Sequence, residues 1–178
     1  MNPRVEKTLD GTEIAYTEFP PQEKKLVELF QELFLEHWQG ITFGPCIDGA
    51  VYEIALDASP KSVDYKDGYL TIDTGKWHCH LCLGRPKTPS GELIKRRQAA
   101  RVAFFESKNK SCVPMSFGLR MWNGAGEQMI SIFFPNPYLS SDMKAQKPDW
   151  SRLELWQNMK SKYAGDSALH LVPQELSS

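Results

Sequence analysis

The sequence lacks any apolar run approaching the roughly 20 residues that a membrane-spanning helix requires. Its first residues, Met1 to Lys7, hold no apolar core of the kind that marks a signal peptide. It also lacks a charge excess. Lys and Arg number 21 against 22 Asp and Glu, a formal net charge of −1, so no basic field marks a surface for nucleic acid or an anionic membrane. No internal repeat and no low-complexity tract is present. Histidine and cysteine are scarce, with four of each. These absences predict a cytoplasmic chain with reduced thiols, and neither nucleic acid nor membrane as partner.

What is present suits one sizeable core. The chain has 178 residues, of which 41% are hydrophobic and 24% charged, and five Trp, nine Phe and six Tyr supply bulk. We read residues 1–20 as an N-terminal arm with one short strand from Thr12 to Phe19, 21–165 as a single domain, and 166–178 as a loosely held tail without periodicity.

Leu26, Leu29, Phe30, Leu33, Phe34 and His37 recur at helical spacing, so residues 22–38 read as an amphipathic helix, opened by Pro20-Pro21 and stopped at Gly40. Alternation over Val51 to Leu56 predicts a strand with Tyr52, Ile54 and Leu56 on one face and Glu53 on the other. Val63 to Tyr65 and Tyr69 to Asp73 flank Asp67-Gly68, a two-residue hairpin signal. Gly75-Lys76 turns the chain into a further strand, Trp77 to Leu83. Ser90 is placed to cap a helix running to Ala100, which carries Lys95, Arg96 and Arg97, with Arg101 at its end. Strands follow over Val102 to Glu106, Met115 to Trp122 and Glu127 to Phe134, the last two joined by Asn123-Gly124-Ala125-Gly126, and Pro135 and Pro137 end the sheet. Asp149 opens a last helix lined by Leu153, Trp156, Met159, Lys160 and Tyr163 and ended by Gly165. Runs of hairpin-linked strands separated by helices predict an α+β fold: a predominantly antiparallel sheet of about six strands with two to three helices packed on it.

The chemistry concentrates in Trp77-His78-Cys79-His80-Leu81-Cys82-Leu83-Gly84, which holds half of all the histidine and half of all the cysteine. On a strand, successive side chains point to opposite faces. His78, His80 and Cys82 therefore share one face, and Trp77, Cys79, Leu81 and Leu83 share the other, apolar one. Residues two apart on a strand are about 6.5–7 Å apart, so two imidazoles can lean onto one ion while a third group needs help from elsewhere. Cys46 and Glu53 are candidate additional ligands, with Asp73, Glu127, His37 and Cys112 as further sources. Imidazole with thiolate or carboxylate suits zinc or iron, or haem iron. An open position on such a metal makes an enzyme and a closed shell makes a structural site. Cys79-His80-Leu81-Cys82 also parses as a Cys-x-x-Cys knuckle for zinc.

A third parse rests on likeness. His78-Cys79-His80-Leu81-Cys82-Leu83 resembles the His-φ-His-φ-His-φ-φ signature of the histidine-triad nucleotide hydrolases over about seven residues, with Cys82 where the last histidine stands in that family. The resemblance implies a phosphoester hydrolase or transferase in which His80 is the nucleophile toward an α-phosphate. Arg96, Arg97 and Arg101 are the side chains that would hold the phosphate through bidentate contacts. The reading adopted from the residues is a metal- or haem-binding protein using His78 and His80, with a small molecule or metal as ligand; homo-oligomerisation is compatible with it. A non-catalytic binding or assembly factor that presents its aromatic C-terminal helix is the third reading.

Overall fold

Five side chains of the first helical stripe, Leu26, Leu29, Phe30, Leu33 and Phe34, are each 0% exposed. They hang from helix α1 (Glu23–Gln31) and from one π-helical turn that continues it (Glu32–Glu36), and a 3-10 turn, Trp38–Gly40, closes the segment. The helix expected over residues 22–38 thus changes its winding at Glu32; within the wider turn Leu33 and Phe34 are buried while Leu35 is 43% exposed. The computed structural model describes residues 3–47, 49–87, 91–111 and 114–165.

In chain order the strands are β1 (Arg4–Lys7), β2 (Glu13–Phe19), β3 (Thr42–Gly44), β4 (Cys46–Ile47), β5 (Ala50–Val51), β6 (Ser62–Lys66), β7 (Tyr69–Asp73), β8 (His78–Cys82), β9 (Ala99–Lys108), β10 (Pro114–Asn123) and β11 (Gln128–Phe133). Helix α2 (Glu92–Arg97) precedes β9, and α3 (Glu154–Ala164) follows the 3-10 turn Trp150–Leu153. The main sheet has six strands in the order β1-β2-β9-β10-β11-β3, every pair antiparallel. The α+β class with a six-stranded antiparallel sheet and three helices is the one expected.

Alternation divides the two faces of this sheet. On the helix side, Phe104 pairs with Leu119 and Val102 with Met121, all at most 1% exposed. Helix α3 lies against them: Trp156 stacks edge-on to Phe117 at 5.2 Å, and its Nε1 donates to the Gly118 carbonyl at 3.1 Å. Helix α3 is tied to α1 through Glu32, whose carboxylate accepts from Lys162 Nζ at 2.7 Å and from the Tyr163 hydroxyl.

A second sheet, β6-β7-β8, is a three-stranded meander. Its hairpin turn has positive φ at both central residues, Asp67 (48°) and Gly68 (81°), the conformation a two-residue loop needs to match strand twist. Val63, Leu70, Ile72 and Leu81 on its inner face join the same core as the α1 stripe, and Gln31 Nε2 donates to the Val63 carbonyl at 3.0 Å.

Several expectations require correction. Residues 4–7 and 13–19, read within an arm, are two strands of the main sheet, because β2 pairs along its whole length with β9. The strand read over Val51 to Leu56 is reduced to Ala50–Val51, paired with Cys46–Ile47, and an isolated bridge from Phe43 to Ile54; Tyr52, Glu53 and Ile54 are all exposed. Asp48 of that turn, the expected cap Ser90, Cys112 and the 166–178 tail lie outside the described residues. The helix expected to reach Ala100 ends at Arg97, and Arg101 sits inside β9 opposite Trp122. Pairing of β9 with β2 and β10 on its two sides outweighs the helix propensity of this arginine-rich run.

The buried stripe gives a first prediction. Leu33→Ala should destabilise the protein by about 2–5 kcal/mol, read from urea denaturation midpoints. A loss under about 0.5 kcal/mol, the usual surface range, would show that Leu33 is not a core residue.

Candidate functional site

The turn before β8 is built by short polar contacts. Thr74 Oγ1 donates to the Trp77 carbonyl at 2.8 Å, Asp73 Oδ1 accepts from Gly75 N at 2.6 Å, and Gly75 takes φ 82°. The following residues are extended and pair with β7: Asp73 faces His78, Thr71 faces His80, and Tyr69 faces Cys82. The expected division of faces holds for the histidines. His78 and His80 are exposed, whereas Cys79 is half-buried against the core and Leu81 is buried.

The two imidazoles have drawn together, with ring centroids 4.8 Å apart. His80 Nδ1 is 2.8 Å from Thr71 Oγ1 across the strands. With the ring proton on Nδ1 and donated to Thr71, Nε2 keeps its lone pair for a metal, the arrangement in which a neighbour orients a ligating histidine. Thr71 is placed beside His80 by the β7–β8 pairing across the Thr74–Trp77 turn, and no local pattern in the sequence marks it.

The sulfur atoms behave differently. Cys82 lies on the histidine face but is only 5% exposed, with Sγ 3.6 Å from the Gly84 carbonyl. Burial pushes its thiol up, opposed by a Tyr69 hydrogen bond and the Arg97 charge; burial alone pushes Cys79 up. Both are therefore held as thiols at neutral pH. Being three apart on one strand, they project to opposite faces and do not converge as a zinc knuckle would need. Cys46, Cys79 and Cys82 are all unbridged.

The other candidates are dispersed. Cys46 stands in β4, half-buried, and Glu53 is exposed beyond β5. Glu127 is paired with Arg96 at 3.9 Å and accepts from Asn123 Nδ2 at 2.9 Å. Arg101 is bound to Glu18 at 2.8 Å and lies 3.9 Å above the Trp122 ring, while Arg97 is exposed at the end of α2. Arg96 and Arg101 are thus engaged by carboxylates, while the charge of Arg97 acts on the Cys82 thiol.

Among the described residues, the side chains whose ligand atoms gather within 4.8 Å as a group of three are Glu32, Glu36 and His37. Glu32 there is already bound by Lys162 and Tyr163. Around Trp77 lies an apolar patch that no motif in the sequence marks. Trp77 is 37% exposed, and its ring lies 5.9 Å from that of Phe43, which bridges to Ile54; Ile54 is 37% and Tyr52 57% exposed.

The fold and this geometry define an α+β protein with an exposed histidine pair on the outer face of its three-stranded sheet. The chain belongs to DUF7676, a family of unknown function, whose model matches residues 3–165. It is similar in fold to a solved structure described as the crystal structure of ChuX, with 12% sequence identity, 85% of this chain and 78% of that chain covered, and a TM-score of 0.54. A comparison with curated proteins finds no match. Among the described residues no helix is long and apolar enough to cross a membrane.

Two predictions arise here. Cys79→Ser should lower stability by roughly 1–3 kcal/mol, because the hydroxyl enters apolar surroundings, while leaving the histidine face unchanged in its NMR shifts. Altered His78 and His80 shifts would show that Cys79 supports the site. For Glu32, burial acts to raise its carboxyl, but the bonds from Lys162 and Tyr163 and the charges of Lys162 and His37 outweigh this and hold it below its ordinary 4.5. A lowered folded-state value means a contribution fully present above the unfolded value and lost as pH falls through the folded one. The stability gap between the native protein and Glu32→Gln should therefore be constant at neutral pH and close below pH 4.5. A gap that widens on acidification would contradict the tie between α1 and α3.

Proposed function

We propose that this protein binds haem iron through the His78/His80 pair, with His80 as the ligand. The observation that carries this reading is the pair of exposed imidazoles 4.8 Å apart on one strand. A structural zinc ion takes four protein ligands. His78 and His80 belong to no group of three convergent metal-binding side chains among the described residues, so a bare ion would be under-coordinated. Haem iron already has four nitrogen ligands in its plane and needs only axial ones from a protein. With the ring proton on Nδ1 and donated to Thr71, Nε2 of His80 would be left to coordinate. His78, on the same side, is placed to hydrogen-bond a ligand or to substitute for His80. Binding, rather than a particular reaction, is the function these residues support.

Titration with haemin, followed by the Soret band, tests this. The native protein should shift the band at one equivalent. His80→Ala should weaken binding at least about tenfold, equivalent to about 1.4 kcal/mol. His78→Ala should weaken it less. Unchanged affinity and spectrum in both variants would refute the assignment, and stoichiometric zinc in the purified protein with no haemin shift would replace haem by a mononuclear metal.

A further inference from the structure

Helix α1 does not end as it begins. At Glu32 its backbone widens into the π turn Glu32–Glu36, and His37 follows directly. In an α-helix of 3.6 residues per turn, a residue five places on lies roughly 140° round from the first. A turn closed by i→i+5 hydrogen bonds brings that residue back over the first, and such turns are frequent at functional sites. Here the winding gathers Glu32, Glu36 and His37, whose ligand atoms all lie within 4.8 Å of one another. The imidazole gives this group a nitrogen donor beside its two carboxylates.

The three groups do not satisfy one another. Among the described residues, no ion pair within 4.0 Å joins His37 to either carboxylate. Lys24 answers Glu28 at 3.9 Å and Lys162 answers Glu32 at 2.7 Å, but no lysine or arginine among the described residues lies within 4.0 Å of Glu36. This side of the helix therefore carries one carboxylate charge more than its cations answer. Glu32 is held as a ligating carboxylate is held. Its side chain is 16% exposed, and Lys162 Nζ and the Tyr163 hydroxyl both donate to its Oε2, which leaves Oε1 for a further partner. Carboxylates that ligate metals are oriented by hydrogen bonds of this kind from outside the site.

We infer that Glu32, Glu36 and His37 bind a divalent transition-metal ion of the zinc class through two carboxylate oxygens and one imidazole nitrogen, with the remaining position open to solvent. Three protein ligands and one open position are a common zinc arrangement. The imidazole separates the site from those of magnesium and calcium, which take oxygen ligands. At metal–ligand distances of about 2.0–2.2 Å, tetrahedral ligand atoms stand about 3.4 Å apart. The ligand atoms must therefore draw in by about 1.4 Å at most from 4.8 Å, and the exposed side chain of Glu36 is free to supply that movement. The site lies at the end of α1, whereas His78 and His80 are on the three-stranded sheet, so the two readings stand or fall separately.

The probe is zinc ion, titrated into the full chain by calorimetry while the ring signals of His37 are followed by NMR. Saturable binding that shifts those signals is expected. Glu36→Gln and His37→Ala should each weaken it at least about tenfold. Glu36 is exposed and answers no cation, so its replacement leaves the fold intact and keeps the test decisive. The double variant His78→Ala/His80→Ala should bind zinc at His37 as the native protein does. The inference is overturned if the His37 signals do not respond at millimolar zinc, or if Glu36→Gln and His37→Ala bind as the native protein does. Zinc binding that disappears in His78→Ala/His80→Ala and persists in Glu36→Gln would place the ion on the three-stranded sheet and overturn this site. Equal binding of magnesium would overturn ligation by the imidazole.

Discussion

A helix whose apolar stripe must be buried against two different sheets sets the geometry of this protein. Leu26, Leu29, Phe30, Leu33 and Phe34 share one core with the inner face of the six-stranded sheet and with Val63, Leu70, Ile72 and Leu81 of the small meander. Without that shared burial the meander is a three-stranded ribbon with a single apolar face, and such small sheets depend on packing for their stability. The histidine strand is the meander's last strand. Its inner residues, Cys79 and Leu81, hold it to the core, and this is why the alternate residues, His78 and His80, stand in solvent as a fixed pair. A one-residue slip in register would invert the strand and bury both rings.

The period of the pattern decided what was legible in the sequence. The α1 stripe, the Asp67-Gly68 hairpin, the alternation through Trp77 to Leu83 and the α3 face were all readable, because each is a local consequence of one dominant period or one turn chemistry. The partition into two sheets was not readable, since nothing local distinguishes a strand that pairs with its neighbour from one that pairs with a distant segment. The N-terminal residues illustrate this: β2 is a central strand only because β9 lies beside it. At 51–56 the alternation was real, but Tyr52 and Ile54 remain exposed beside Phe43 and Trp77. At 95–101 a run of basic residues suggested a helix end, and strand pairing claimed Arg101 instead.

The same split applies to the site. The histidine pair followed from alternation. Thr71 requires cross-strand register, just as the contact of Arg120 with Tyr16, far apart in sequence, requires the pairing of β2, β9 and β10. The Cys-x-x-Cys spacing, by contrast, was conspicuous in sequence and is divided by the pleat in the structure.

The position of β9 also has a consequence for how the chain acquires its structure. β9 lies between β2 and β10, and its partner β2 precedes it by more than eighty residues, as in the pairing of Phe19 with Val102. During synthesis, β1 and β2 can pair with each other but have no sheet to join until residue 108 has left the ribosome. Closing so long a loop is entropically unfavourable, and topologies dominated by such pairings fold slowly. The step that completes the main sheet is therefore late, and until then the aromatic face of β2 is an open edge for which other chains compete.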